Sequence, residues 1–144
     1  MVTLHYSIKI HAPKEKVWDM MLGKEGYKQW ASVFAEGSYY EGTWEQGEKL
    51  KFLMPEGDGM ASIVDELVPH EYSSIKHTHS IKEWKEQTED ESGFEYPAYE
   101  NYTFIDHNGS TLVKVSVDMP DEYVSMMDEV FPEALEKLKS LCEQ

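Results

Sequence analysis

The chain has 144 residues, of which 40% are hydrophobic and 12% aromatic, and its formal net charge at pH 7 is −15. This apolar content is typical of a globular protein and too high for a disordered chain, and the length suits a single domain spanning residues 1–144. The negative charge disfavours phosphate backbones and anionic lipid surfaces, so we expect neither nucleic acid binding nor membrane insertion.

The cysteine content and the chain start bear on the cellular compartment. Cys142 is the only cysteine, so an internal disulfide cannot form. Its place on the apolar side of a predicted helix indicates a small core residue rather than a nucleophile. The first residues show no targeting signal, and no apolar run approaches the length of a membrane span. These features predict a cytoplasmic protein.

The N-terminal part of the chain predicts one strand and two helices. Apolar and polar residues alternate from Val2 to Ile10, as in a half-buried strand. Pro13 suits the first turn of a helix, since its missing N–H costs nothing there. Gly23 interrupts the helical pattern, and a second short helix carries Tyr27 and Trp30.

The middle of the chain predicts strands in quick succession, at residues 38–44, 48–54, 60–68, 72–81, 99–105 and 111–119. Asn108-Gly109 is a strong hairpin signal because both residues tolerate positive φ. Residues 84–98 break the alternation and predict a long acidic loop, and loops of that length tend to be functional or mobile.

The last 24 residues, 121–144, predict a long amphipathic helix around which the sheet is organised. Its apolar stripe is made of residues spaced three and four apart: Met127, Phe131, Ala134, Leu135, Leu138, Leu141 and Cys142. Pro132 interrupts this pattern, so it either kinks the helix or marks the true helix start near Asp128. The predicted architecture is one antiparallel sheet wrapped around one helix.

Several motifs along this order of elements resemble a known superfamily. They are Ala12-Pro13 with Val17-Trp18, Trp30, Gly59 with Ile63 and Pro69, residues 100–104 (ENYTF), and residues 134–139 (ALEKLK). Together they resemble the START-like or SRPBCC superfamily, also called birch-pollen-allergen-like. Within it, the chain is most similar to the bacterial relatives of the heat-shock protein 90 ATPase activator.

The resemblance implies an α+β helix-grip fold, in which a curved antiparallel sheet of roughly seven strands grips the C-terminal helix. It also implies an apolar cavity between sheet and helix, with no metal or organic cofactor. Phe131 departs from the pattern, because many relatives carry tryptophan there, and this trims the cavity. The fold hosts lipid carriers, hormone binders, cyclases and co-chaperones, so it does not define a function.

Two histidines are the leading polar candidates for the cavity wall. His77 and His79 lie two residues apart on a predicted strand and should face the same side, together with Ile75 and Ile81. A metal site would need a third ligand, and the sequence offers none. We therefore favour hydrogen bonds to water or to tyrosine hydroxyls.

Other polar residues carry weaker signals. Asp65 and Glu66 are adjacent on a strand and point in opposite directions, which disfavours an acid–base pair. Glu100 and Asp106 are interpreted as solvated strand ends. The glycine-rich turn at residues 57–59 joins two strands, so it does not resemble a phosphate cradle.

The first functional hypothesis is a small-molecule binding domain with no defined catalytic activity, holding an apolar or aromatic ligand. The predicted cavity residues are Trp30, Phe52, Met54, His77, His79, Tyr102, Phe104, Met119, Tyr123, Met127 and Phe131. The alternative to a ligand cavity is that these residues only fill the hydrophobic core.

Two other functions stay open. The resemblance suggests a co-chaperone-like domain that binds a chaperone or another protein, although the eukaryotic activator has an additional domain that the resemblance does not cover. An enzyme similar to a cyclase or dehydratase would use His77 or His79 as general base, but the sequence supplies no third group to orient them.

Overall fold

The computed structural model describes residues 1–88 and 93–144. Within these ranges the elements are β1 Val2–Ile10, α1 Lys14–Leu22, α2 Lys24–Ala31, β2 Tyr39–Gly42, β3 Lys49–Leu53, β4 Gly59–Val68, β5 Tyr72–Lys82, β6 Lys85–Glu86, β7 Ala98–His107, β8 Ser110–Met119, a 3₁₀ turn Asp121–Tyr123 and α3 Val124–Cys142. The predicted α+β helix-grip fold is confirmed.

The strands form one open antiparallel sheet. The order is β1-β8-β7-β5-β4-β3-β2, and the two-residue strand β6 pairs with the end of β5. Seven strands therefore run along the sheet, as predicted, and β6 is an eighth. The β7–β8 hairpin turns at Asn108 and Gly109, whose φ angles are 55° and 85°, which is the conformation predicted from this dipeptide.

The helices lie on one face of the sheet and close the core. Phe131, Leu135 and Leu138 of α3 are buried with Val113 and Val115 of β8, because the stripe on the helix meets the alternating apolar side of the strand. The core therefore lies between α3 and the sheet.

The two short helices are tied to each other at their ends. The buried indole of Trp30 in α2 donates a hydrogen bond from Nε1 to the carbonyl oxygen of Met21 in α1, at 2.9 Å. Gly26 permits this close approach, since a Cβ there would lie 1.9 Å from the carbonyl oxygen of Met20. The arrangement fixes α2 next to α3, with Trp30 facing the interior.

Helix α3 begins earlier than the start near Asp128 that was one of the two predictions for Pro132. It begins at Val124 and continues past Pro132 to Cys142, so Pro132 does not mark the helix start. Proline lacks the N–H that would bond to the carbonyl of residue 128. The packing of the apolar stripe against the sheet offsets this loss, and the helix continues.

A β-bulge in β5 changes which side chains face the core. Ser62 of β4 pairs with His77, but the preceding residue, Ala61, pairs with His79. Thr78 is therefore an extra residue in β5, and its hydroxyl donates to the carbonyl oxygen of Ala61 at 3.2 Å. A bulge reverses the alternation of a strand. His77 is buried on the side of α3, whereas His79 is exposed on the other face.

The same reversal moves the end of β5 to the outer face. Ile81 pairs with Gly59 and packs with Leu53 and Ala61 in a small cluster apart from the main core. The prediction that His77, His79 and Ile81 share the inner face is therefore wrong for His79 and Ile81.

The segment predicted as a long loop is partly structured. Lys85 and Glu86 of β6 pair with Lys82 and Ile81 of β5. The rest of the predicted loop includes residues 89–92, which lie outside the described residues.

Candidate functional site

A cavity of about 250 Å³ lies between the sheet, α2 and the start of α3. Its lining is mostly aromatic and aliphatic: Tyr27, Trp30, Ala31, Phe34, Ser38, Phe52, Met60, His77, Phe94, Glu100, Tyr102, Val117, Asp118, Met119, Met127 and Phe131. The rings contact one another edge-on. Phe34, for example, meets Phe131 at 5.0 Å and Trp30 at 6.3 Å between ring centroids.

Most of the predicted cavity residues do come together. Those that line the cavity are Trp30, Phe52, His77, Tyr102, Met119, Met127 and Phe131. They come from α2, β3, β5, β7, β8 and α3, so the cavity depends on the whole helix-grip arrangement.

Four predicted residues lie elsewhere. His79 is on the outer face because of the bulge at Thr78. Phe104 lies two residues after Tyr102 on β7. It is buried and packs against Trp18, with ring centroids 5.1 Å apart. Tyr123 packs against Phe94, at the edge of the cavity.

The fourth displaced residue, Met54, follows the last residue of β3. It lines a smaller pocket of about 130 Å³ beside the cavity, which shares Tyr27 and Phe52 with it. Its prediction failed because the strand ends at Leu53, so the alternation that Phe52 obeys does not extend to Met54.

The sequence reasoning missed several cavity residues, of which Glu100 matters most. It was interpreted as a solvated strand end, but it lies inside β7, and its side chain is only 22% exposed. A signal for it existed: Tyr102 was placed in the cavity, and residues two apart on a strand share a face. No comparable pattern placed Tyr27 or Phe34 at the cavity. Tyr27 is in a short helix and Phe34 in a turn, where the spacing of apolar residues does not define one inward face.

Glu100 is the centre of a hydrogen-bonded network on the cavity wall. The Ser62 hydroxyl is 2.7 Å from Nδ1 of His77, and Nε2 of His77 is 3.3 Å from a carboxylate oxygen of Glu100. The Tyr102 hydroxyl donates to the other carboxylate oxygen. The ring can donate from Nε2–H to Glu100 and bond to the Ser62 hydroxyl at Nδ1, so each polar atom of the network has a partner.

The register of the sheet produces this network. Glu100 of β7 pairs with Ile75 of β5, and His77 pairs with Ala98, so Glu100 and His77 are diagonal neighbours on one face. Tyr102 lies two residues beyond Glu100 on the same face. The side chains of His77 and Tyr102, from two adjacent strands, therefore converge on the Glu100 carboxylate.

The carboxylate affects two tyrosine hydroxyls at the cavity wall. Burial raises the pKa of Tyr27 well above its usual value, and the charge of Glu100 raises it further. Burial likewise raises the pKa of Tyr102, to which the charge and the hydrogen bond of Glu100 also contribute. Both hydroxyls therefore stay neutral in the folded protein at physiological pH, and they can donate hydrogen bonds.

The arrangement restricts the chemistry that the site can perform. Ser62, His77 and Glu100 follow the order of a nucleophile, base and orienting acid, but Ser62 is 3% exposed and does not line the cavity, so a bound molecule would not reach it. Glu100 does line the cavity and can accept a hydrogen bond or a proton. Among the described residues, no group of three or more His, Cys, Asp and Glu side chains is arranged to hold a metal ion.

The curved sheet, the C-terminal helix and the cavity between them agree with one family model, which matches residues 11–143. That family is described as Activator of Hsp90 ATPase homolog 1-like protein. The chain belongs to this family. The resemblance to bacterial relatives of the heat-shock protein 90 ATPase activator is therefore confirmed.

Solved structures similar to this family member support the fold. Protein MLL2253 from Mesorhizobium loti is 14% identical, with a TM-score of 0.77 over 97% of this chain and 96% of that chain. The Aha1 dimer from Colwellia psychrerythraea is 18% identical, with a TM-score of 0.72 over 99% and 97%. Protein CV1439 from Chromobacterium violaceum is 20% identical, with a TM-score of 0.72 over 99% and 97%. At these identities the likeness shows the fold alone.

A comparison with curated protein sequences found no match. Among the helices in residues 1–88 and 93–144, none has the length and apolar character needed to cross a membrane.

Proposed function

We propose that this member of the family binds a small apolar or aromatic molecule in the cavity between the sheet and α3. One observation carries the proposal: a cavity of about 250 Å³ is walled by aromatic rings and methionines around a single hydrogen-bonded carboxylate. Apolar walls with a few converging polar groups are the usual composition of ligand sites.

The size of the cavity bounds the ligand. Sites for drug-sized molecules typically measure about 300–1,000 Å³, so this cavity suits a compact ligand of one or two rings. The lining methionines, Met60, Met119 and Met127, have flexible side chains that adapt to different shapes. We therefore expect a small ligand and some tolerance of its outline.

The first test is native mass spectrometry of freshly purified protein, followed by denaturation and identification of whatever is released. The second is an NMR titration with 2-phenylethanol, a neutral one-ring probe. We expect a stoichiometric released compound, or amide shifts confined to the strands and helices that line the cavity.

A cavity-filling variant supplies the control. Phe131→Trp adds volume at a side chain that lines the cavity, and it should abolish both the released compound and the shifts. Met126→Trp introduces a tryptophan on an exposed side of α3 and should change neither. If wild type releases nothing and 2-phenylethanol produces no shifts at the cavity, the proposal is wrong.

A second candidate function follows from the family description. The family is named for an activator of the Hsp90 ATPase, and a protein partner would use the surface rather than the cavity. Retention of the host Hsp90-type chaperone by the tagged protein, with equal retention by Phe131→Trp, would support this function. Failure of the chaperone to bind would remove it.

A further inference from the structure

We propose that the cavity is selective for a protonated amine that carries an apolar or aromatic body, and that it rejects anions. This inference rests on the proposed small-molecule function and names the ligand class. It derives from the Glu100 carboxylate at the cavity wall and from the lack of a lysine or an arginine in the described lining.

The first step concerns Glu100. Its carboxylate lines the cavity and is largely buried, with 22% of the side chain exposed. Its partners within the described residues are the Tyr102 hydroxyl and the Nε2 of the His77 ring, one on each carboxylate oxygen. Neither partner is a lysine or an arginine. A partly buried charge without an opposite charge is costly, so a cation in the cavity would stabilise it.

The second step concerns Asp118, which lies on β8 between Val117 and Met119. Those two residues face the cavity, so the Asp118 side chain points to the other face of the strand. There its oxygens accept hydrogen bonds from the Thr3 hydroxyl at 2.7 Å and from the backbone N–H of Tyr99 at 2.8 Å. The inference therefore rests on the Glu100 carboxylate alone.

The third step is the lack of a lysine or an arginine at the cavity. No lysine lines the cavity in the described part of the chain, and the sequence contains no arginine. A ligand carboxylate or phosphate would find no fork of guanidinium donors and no ammonium group, and it would face the Glu100 carboxylate. Fatty acids and other anionic ligands are therefore excluded as occupants.

The aromatic walls complete the argument. Seven rings line the cavity: Tyr27, Trp30, Phe34, Phe52, Phe94, Tyr102 and Phe131. The faces of aromatic rings attract cations, and this attraction is stronger where water is excluded. A carboxylate beside several rings therefore suits an ammonium group joined to an apolar body.

The experiment compares three probes with one skeleton. At pH 7, 2-phenylethylamine is a cation, 2-phenylethanol is neutral and phenylacetate is an anion. Dissociation constants from amide shifts should place the amine tightest and phenylacetate weakest, with at least about tenfold between the two, the effect of one charge-assisted hydrogen bond. This ranking uses the wild-type protein and needs no variant to fold.

Two variants separate the cavity carboxylate from the general negative charge of the protein. Glu100→Gln keeps the shape but removes the charge, and it should reduce the amine-to-acid ratio to less than about threefold. Glu133→Gln removes one charge from the exposed side of α3 and should keep the wild-type ratio.

The outcomes distinguish the two proposals. If 2-phenylethanol binds and phenylacetate binds as tightly as the amine, the inference is overturned and the small-molecule function stands. An equal loss of selectivity in Glu100→Gln and Glu133→Gln also overturns the inference, since the preference would then come from the overall charge. If none of the three probes binds at the cavity, the small-molecule function itself fails.

Discussion

At the scale of single residues, the role of Glu100 depends on what its neighbours donate. His77 of β5 and Tyr102 of β7 each form a hydrogen bond to one of its carboxylate oxygens. The Ser62 hydroxyl bonds to the other nitrogen of the His77 ring, Nδ1. Each of these groups is buried or partly buried, so the loss of any one leaves another without a partner. The network therefore stabilises the fold as well as shaping the cavity.

Removal of the Tyr102 hydroxyl tests this double role. Tyr102→Phe takes away one donor to the Glu100 carboxylate and should lower the free energy of unfolding by about 2 kcal/mol, as hydrogen bonds to charged groups do. Urea unfolding followed by circular dichroism measures the change. Tyr72→Phe is the control, since the Tyr72 hydroxyl makes no hydrogen bond to another side chain within the described residues. Equal stability of the two variants would contradict the prediction.

The sequence predicted a residue's place at the cavity correctly where that residue followed the regular spacing of a strand or a helix. Tyr102, Met119 and Met127 reached the cavity as predicted because the strands and the helix that carry them are regular there. Glu100 was misread because a carboxylate at a strand position suggests solvent, although its spacing of two from Tyr102 placed it on the cavity face. Its bond to His77 of β5 joins residues distant in sequence, so no local pattern predicts that contact.

At the scale of elements, α3 shows how packing overrides a local signal. Pro132 predicted a kink or a helix start near Asp128. The helix instead begins at Val124 and runs to Cys142, because Phe131, Leu135 and Leu138 pack on the sheet at both sides of the proline. Periodicity was sufficient to predict the helix, and only its start needed the structure.

Replacement of this proline should therefore stabilise the protein. Pro132 is exposed, so Pro132→Ala restores a backbone hydrogen bond and loses no core contact. The expected gain is about 1–3 kcal/mol, and the thermal midpoint should rise. Glu133→Ala, a neighbouring exposed position, controls for the helix propensity of alanine. A lower midpoint for Pro132→Ala would mean that the proline shapes α3 to fit the sheet.

At the scale of the whole molecule, the buried tyrosines should set the alkaline limit of stability. The pKa values of Tyr27 and Tyr102 are raised in the folded protein, whereas an unfolded chain ionises tyrosine near about pH 10. Above that pH the unfolded state holds fewer protons than the folded state. Stability is therefore fully present below about pH 10 and is lost as the pH rises further.

Urea unfolding from pH 8 to pH 11.5 measures this loss. Above about pH 10 the free energy of unfolding should fall by about 1.4 kcal/mol per pH unit for each tyrosine with a raised pKa. Tyr27→Phe removes one titrating group, so its curve should fall less steeply than that of the wild type above about pH 10. Parallel curves would show that Tyr27 does not contribute.

The extra residue in β5 also affects how members of this family are compared. A strand offers two alternating sets of side chains, and Thr78 switches β5 from one set to the other partway along its length. An insertion or deletion of one residue at this point would move every later side chain of β5 to the opposite face of the sheet. Against a relative whose strand lacks the extra residue, an alignment without a single-residue gap would equate inward-facing with outward-facing residues on one side of Thr78. Residues that line the cavities of relatives should therefore be matched by superposing the strands rather than by counting along them.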